Sequence, residues 1–200
     1  MKPLIVEVAS DVVCPWCYIG KRRLERAIEL LEPDFALSIR WLPFQLNPDM
    51  PREGMPRAEY RKAKFGSLER SRALDARVIA EGRSEGIDFA FERIERTPNT
   101  SAAHQLIALA QDQNAVVDAL FGAYFEEARD IGGAAVLAEI AKQCGVRGWP
   151  QAARDVSPLE ESVRELGISA VPTFIFQRKL GVSGAHPAET LAQAMREAAG

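Results

Sequence analysis

The chain has 200 residues, 47% of them hydrophobic and 26% charged, with three cysteines and a formal net charge of −3. These proportions suit a globular protein with a core of its own, and they exclude a disordered chain or a scaffold stapled by disulfides. The small negative charge gives no basis for a nucleic-acid or acidic-membrane partner, and no apolar run approaches the roughly 20 residues of a membrane span.

Taken in order, Met1-Lys2-Pro3 leads into Leu4-Ile5-Val6-Glu7-Val8-Ala9, an apolar run too short for a signal-peptide core but right for a buried strand over 3–9. No secretory signal is expected, and the cytoplasm is the expected compartment. Three cysteines agree with a reducing environment, where disulfides are transient and catalytic. Next comes Ser10-Asp11-Val12-Val13-Cys14-Pro15-Trp16-Cys17-Tyr18-Ile19-Gly20. A helix is predicted from about Pro15 to Leu31, ended by Pro33-Asp34, with Leu24, Ala27, Ile28 and Leu31 as its apolar stripe.

Cys14 and Cys17 therefore stand at a strand-to-helix junction, where C-x-x-C reads as a redox pair. Positions i and i+3 share a helix face, so the two can close a short disulfide with little backbone movement. Cys14, at the free N–H end of the helix, is the expected attacking sulfur. Cys17, a turn further in, is expected to resolve the mixed disulfide. Pro15 suits the first helical turn, where its missing N–H costs nothing. A zinc site needs three or four ligands, and only His104, His186 and Cys144 remain, scattered along the sequence, so no metal is expected.

A second strand is predicted over Phe35 to Trp41, and Pro43, Pro48, Pro51 and Pro56 then mark a loop and a boundary. Pro56 to Glu85 is charged and helical in pattern, its charges expected on a solvated face. Phe89 and Phe91 are the expected anchors of an irregular connection. Thr97-Pro98-Asn99-Thr100-Ser101 signals a helix start, followed by Ala103, Leu106, Ile107 and Ala110. Val117, Leu120, Phe121, Tyr124, Phe125 and Ala128 make a long stripe. Leu137, Ile140, Ala141 and Cys144 make another, which gives Cys144 an ordinary place as a small apolar residue. After Trp149-Pro150, the stripe Leu159, Val163, Leu166 stops at Gly167. Ile168 to Phe176 is a strand introduced by Val171-Pro172, Gln177-Arg178-Lys179 a turn, and Leu180 to Ser183 a partner strand. A last helix opens at His186-Pro187 and turns Leu191, Ala194, Met195 and Ala198 inward.

Strand, helix, strand at the start and strand, strand, helix at the end make an α/β domain from 1–48 and 167–200, with a helical domain, 49–166, inserted between. Seven segments in order carry a resemblance: SDVVCPWCYIGKRRLE at 10–25, WLPFQLNPDMPREG at 41–54, TPNTSAAHQLI at 97–107, LFGAYFEEARDIG at 120–132, VLAEIA at 136–141, LGISAVPTFIF at 166–176 and VSGAHPAETL at 182–191. Over nearly its whole length the chain resembles the DsbA family of the thioredoxin superfamily, and within it the FrnE-like branch. The resemblance implies a thioredoxin fold with a large helical insertion and a thiol–disulfide oxidoreductase or isomerase with no cofactor beyond its Cys14–Cys17 disulfide. It implies protein thiols or glutathione as substrate or co-substrate, and a monomer or homodimer without nucleic-acid or membrane partners.

It also implies that Val171-Pro172 is a cis-proline loop facing the cysteines, where the Val171 backbone pairs with an extended substrate, with Pro15 and Trp16 beside it. Asp11 matches the acid that this branch places before the motif, or it is a turn residue. Asn99 and His104 are candidates to line a cleft, or His104 is a half-buried imidazole making a backbone bond. Trp16 departs from the Pro-His dipeptide of the best-known periplasmic member, and an indole supplies no charge to a thiolate, so a less oxidising disulfide is expected. Lys21, Arg22 and Arg23, one to two turns along, are expected to be solvated and not to compensate. Kappa-class glutathione transferases and 2-hydroxychromene-2-carboxylate isomerases look similar but carry serine where Cys14 stands. A glutathione-dependent isomerase or transferase is thus the alternative function, and a non-enzymatic peptide-binding holdase a third.

Overall fold

The apolar N-terminal run is an inner strand of a four-stranded sheet. The computed structural model describes residues 2–31 and 35–200. The expected helix stop at Pro33-Asp34 lies outside the described residues. In chain order the described residues form β1 (Lys2–Ser10), α1 (Pro15–Glu29), β2 (Phe35–Pro43), β3 (Met55–Pro56), α2 (Arg57–Phe65) and α3 (Leu68–Ser84). β4 (Arg96–Thr97), α4 (Ser101–Leu109), α5 (Gln113–Phe121), α6 (Ala134–Gln143) and α7 (Ser157–Glu165) follow, then β5 (Thr173–Phe176), β6 (Leu180–Ser183) and α8 (Ala188–Ala199). No described helix is long and apolar enough to cross a membrane.

Two compact units result, Met1–Phe44 with Ser157–Gly200, and Gln45–Val156. In the first, the strand order is β2-β1-β5-β6, with β1 parallel to β2 and antiparallel to β5, and β5 antiparallel to β6. Residues Val6 to Ser10 are buried in succession, as a strand covered on both faces requires. α1 packs on α8, and α8 on β1, β5 and β6. Burying Leu24 and Leu191, both on inward faces, contributes about 1.5–3 kcal/mol each. This is the strand–helix–strand and hairpin–helix arrangement of a thioredoxin fold.

The first unit takes in residues 157–166, which the sequence had suggested belonged to the insertion, and gives up 45–48. The reason is packing. α7 lies on β2, with Val163 and Glu160 buried and the Arg164 guanidinium 4.1 Å from the centre of the Phe44 ring. The expected stripe on α7 is wrong at both ends, because Leu159 is exposed and Leu166 is 71% exposed. The third strand is also shorter than expected, since Ile168 to Pro172 form a loop before β5.

In the second unit, the charged stretch is two helices broken at Gly66, whose φ of +85° suits glycine, and restarted at Ser67, whose hydroxyl accepts from the Arg70 N–H at 3.1 Å. Its charges are not all solvated. Arg57 and Arg61 pair with Asp75, and Arg61 also donates to the Ser71 hydroxyl at 2.6 Å, with all three charged side chains mostly buried. Phe89 and Phe91 stack at 4.8 Å and meet Phe125 edge-on, so both anchors are in the core. The long stripe after Val117 is interrupted. α5 ends at Phe121, a π-helical turn spans Gly122–Glu126, and Ala128 takes a left-handed φ of 58° outside any helix. β3 and β4 form a small ribbon that periodicity does not reveal, being two residues each.

Candidate active site

The site begins where β1 ends. The Asp11 carbonyl accepts the Cys14 N–H at 3.0 Å, turning the chain through Val12 and Val13. Cys14 is the N-cap of α1 with extended backbone angles, and Pro15 takes the first helical position. The Cys14 carbonyl then accepts from both Cys17 N–H, at 3.0 Å, and Tyr18 N–H, at 3.3 Å, which closes the first turn. This fixes Cys14 at the end of α1 where unpaired N–H groups gather, with Cys17 one turn inside.

Both thiols are free. Cys14 is 6% exposed and Cys17 1%. Burial pushes the Cys17 thiol well above its ordinary value, and the adjacent Cys14 thiol pushes in the same direction, while the Ser10 hydroxyl and the Asp11 backbone oppose them. At neutral pH Cys17 is therefore held as a thiol. The two sulfurs are thus unlike in position, one at the helix end and one a turn inside it.

The cis-proline loop reaches the same place. The Cys14 Sγ lies 3.8 Å from the Val171 carbonyl, a contact between residues 157 apart in sequence. The Val171–Pro172 peptide is cis, as is Trp149–Pro150. Thr173 Oγ1 ties the loop down by donating to the Ala170 carbonyl at 2.8 Å, and the Pro172 carbonyl accepts from Gly184 N–H at 2.7 Å. Val171 itself is half-buried, and Trp16 is 37% exposed. Cys14, Cys17, Val171 and Pro172 are thus brought together, with Pro15 in the first turn beside them. Asp11 is fully buried below the junction.

The basic run after the motif is not solvated as expected. Lys21 is 3% exposed and paired with Glu25. Arg22 covers the Tyr18 ring at 5.2 Å, and Arg23 donates to the Ala185 carbonyl at 2.6 Å. All three serve the packing of α1. Asn99 and His104 belong to the second unit. The Asn99 amide donates to the Met50 carbonyl at 2.7 Å and accepts from Ser101 N–H at 2.9 Å, so it organises the start of α4. His104 is buried in α4. Cys144, at the C-cap of α6, is half-buried with its Sγ 3.6 Å from the Ala115 carbonyl. Among the described residues, no group of three or more His, Cys, Asp or Glu side chains is placed to hold a metal.

Sequence reading missed Ser10 and Gly20. Ser10 is the last residue of β1, and its buried hydroxyl makes no hydrogen bond among the described residues but favours the charged form of Cys17 against the effect of burial. Gly20 sits in the middle of α1, where a glycine is a poor helix former, and that was the signal available.

A family model described as a DSBA-like thioredoxin domain matches residues 5–196. The probable DsbA oxidoreductase SCO1869 of Streptomyces coelicolor is 31% identical, with a TM-score of 0.86 over 98% of this chain and 89% of that one. A 2-hydroxychromene-2-carboxylate isomerase is 16% identical, with a TM-score of 0.66 over 96% of this chain and 95% of its own. The cytosolic disulfide reductase DsbM of Pseudomonas aeruginosa, in a structure with GSH, is 19% identical, with a TM-score of 0.60 over 98% and 95%. The last two likenesses are of fold alone.

Proposed function

The chain belongs to the DSBA-like thioredoxin domain family, and from that premise we propose that it is a thiol–disulfide oxidoreductase in which Cys14 attacks and Cys17 resolves. One observation carries the reading: a free thiol at the N-cap of α1, backed by a second buried thiol, with the Val171 carbonyl at 3.8 Å. Starting from the dithiol, the Cys14 thiolate attacks a substrate disulfide. A Cys14–substrate bond forms, the substrate S–S bond breaks, and the leaving sulfur takes up a proton. Cys17 then gives up its proton and attacks the Cys14 sulfur, forming the Cys14–Cys17 disulfide and releasing the second substrate thiol. Two electrons and two protons have passed to the substrate. Thiols of low molecular weight, glutathione among them, return the pair to the dithiol by the reverse exchange, and run backwards the same steps oxidise a substrate.

The raised pKa of Cys17 gives the two steps their order, because a thiol held protonated by burial competes poorly for the incoming disulfide and acts only once Cys14 is engaged. Val171, a half-buried residue beside the attacking sulfur, offers backbone for an extended chain to pair with, and Trp16 offers an apolar surface for its side chains. A glutathione-dependent isomerase reading draws only on shared fold, and fold does not fix function.

The test is turnover of a disulfide substrate with glutathione as reductant. Cys14→Ser is expected to abolish it, whereas Cys17→Ser is expected to accumulate a covalent adduct at Cys14. Undiminished turnover in Cys14→Ser would refute the redox reading and raise the isomerase in its place.

A further inference from the structure

We propose that Gly20 is a positioning residue that sets the gap between α1 and the substrate loop, and so decides whether chains that need the Val171 backbone can be processed at Cys14. The inference rests on the redox reading above and assigns a residue that the reading does not use.

A Cβ added at Gly20 would stand 2.9 Å from Pro172 Cγ and 3.1 Å from Phe174 Cζ, with Pro172 Cβ at 3.5 Å. Distances under 3.0 Å oblige something to move. Neither neighbour yields cheaply. The proline ring is rigid and buried, and the fully buried Phe174 ring lies parallel to Phe176, centroids 6.5 Å apart. Gly20 is itself buried in the middle of α1, where alanine would favour the helix. Local propensity therefore argues against glycine, and the approach of Pro172 and Phe174 argues for it.

The consequence reaches Cys14 because the loop meets α1 at two points. Val171 meets it at the Cys14 sulfur, 3.8 Å away, and Pro172 meets it at Gly20. Pushing the proline ring outward at Gly20 lifts the adjoining Val171 from Cys14. Cys14 keeps its place at the N-cap, held by the Asp11 carbonyl and Pro15. A substrate that needs only the sulfur is left untouched, while a substrate that must also pair with Val171 is misplaced against it, and small misplacements are costly to rate.

The experiment compares Gly20→Ala with wild type on two disulfides. One is a peptide disulfide with chain on both sides of the bond, and the other is dithiobis(nitrobenzoate), which has no peptide backbone. The expected result is a fall of roughly tenfold or more in kcat/KM for the peptide, carried mainly by KM, with the rate on the small disulfide kept. Equal losses on both substrates, or no loss on either, would overturn the assignment. If Gly20→Ala does not fold, Gly20→Ala/Phe174→Leu is compared with Phe174→Leu on the same pair of substrates, and the same outcomes decide. Failure of wild type to turn over either substrate in a Cys14-dependent way would remove the redox reading and this proposal with it. Wild-type turnover without substrate discrimination by the variant removes this proposal alone.

Discussion

Two of the three cysteines cap helices, at opposite ends. Cys14 caps the N-terminus of α1, where N–H groups are unpaired and the helix dipole is positive. Cys144 caps the C-terminus of α6, where the unpaired groups are carbonyls. Cys144 is the more exposed of the two, yet burial, Asp112 and Asp118 all push its thiol up from its ordinary value. Exposure alone is therefore a poor guide to a reactive thiol. What sets the α1 end apart is a second thiol one turn inside, since a backbone carbonyl lies near both sulfurs, that of Val171 3.8 Å from Cys14 and that of Ala115 3.6 Å from Cys144.

The sharpest way to break this contrast is to exchange the sulfurs for oxygen or carbon one at a time. Cys14→Ser should bring disulfide turnover to background, and Cys144→Ala should leave it within error. Next in size is the effect at the resolving position. With Cys17→Ser, mass spectrometry after exposure to glutathione disulfide should find one glutathione held on Cys14 and none on Cys144. Adducts on Cys144 instead would reverse the assignment of roles.

Ser10→Ala sharpens the comparison from within the site. The Ser10 hydroxyl opposes the rise in the Cys17 thiol. Removing it should slow the release of a preformed Cys14 mixed disulfide at pH 7 by several-fold, on the order of 1 kcal/mol for a lost hydrogen bond to a developing thiolate. The deficit should shrink as pH rises and Cys17 deprotonates without help. A rate equal to wild type across pH 7–10 would show that the hydroxyl has no part in resolution.

How much of this was legible depends on how far apart the partners are in sequence. The run from Leu4 to Gly20 announced a strand, a junction and a helix with two sulfurs on one face, because each signal is local. Val171-Pro172 reads locally as part of a strand, and its loop came only from the family pattern. Its meeting with Cys14 came from the family pattern, since no local rule links residues 157 apart. Gly20 was opaque for the same reason, since it is fitted to Pro172, whereas Lys21 has a local partner in Glu25 and a helical wheel shows its charge but not its burial. On α7 the wheel itself misled. Glu160 is buried beneath its pairing with Arg164, and Leu159 and Leu166 take the outside.

A smaller effect concerns stability. The folded Cys17 thiol is pushed up by burial, so folding favours its neutral form. Its contribution is fully present below the unfolded value of about 8.5 and is lost as pH rises through the higher folded value. In a Cys144→Ala background, which removes a second group of the same sign, the denaturation midpoint of the dithiol protein should fall between pH 8 and pH 10. Adding Cys17→Ala should flatten that fall, and an unchanged slope would mean that Cys17 is not desolvated as described.

The central claim is that Cys14 and Cys17 form one redox couple from which Cys144 is excluded. Its most direct test is to equilibrate the protein across a series of glutathione buffers, quench with an alkylating reagent, and map the modified cysteines. The account predicts a single two-electron transition in which Cys14 and Cys17 lose their labels together, while the labelling of Cys144 does not follow the buffer. A Cys14–Cys144 disulfide, or Cys14 and Cys17 remaining as thiols up to the most oxidising buffer, would contradict it.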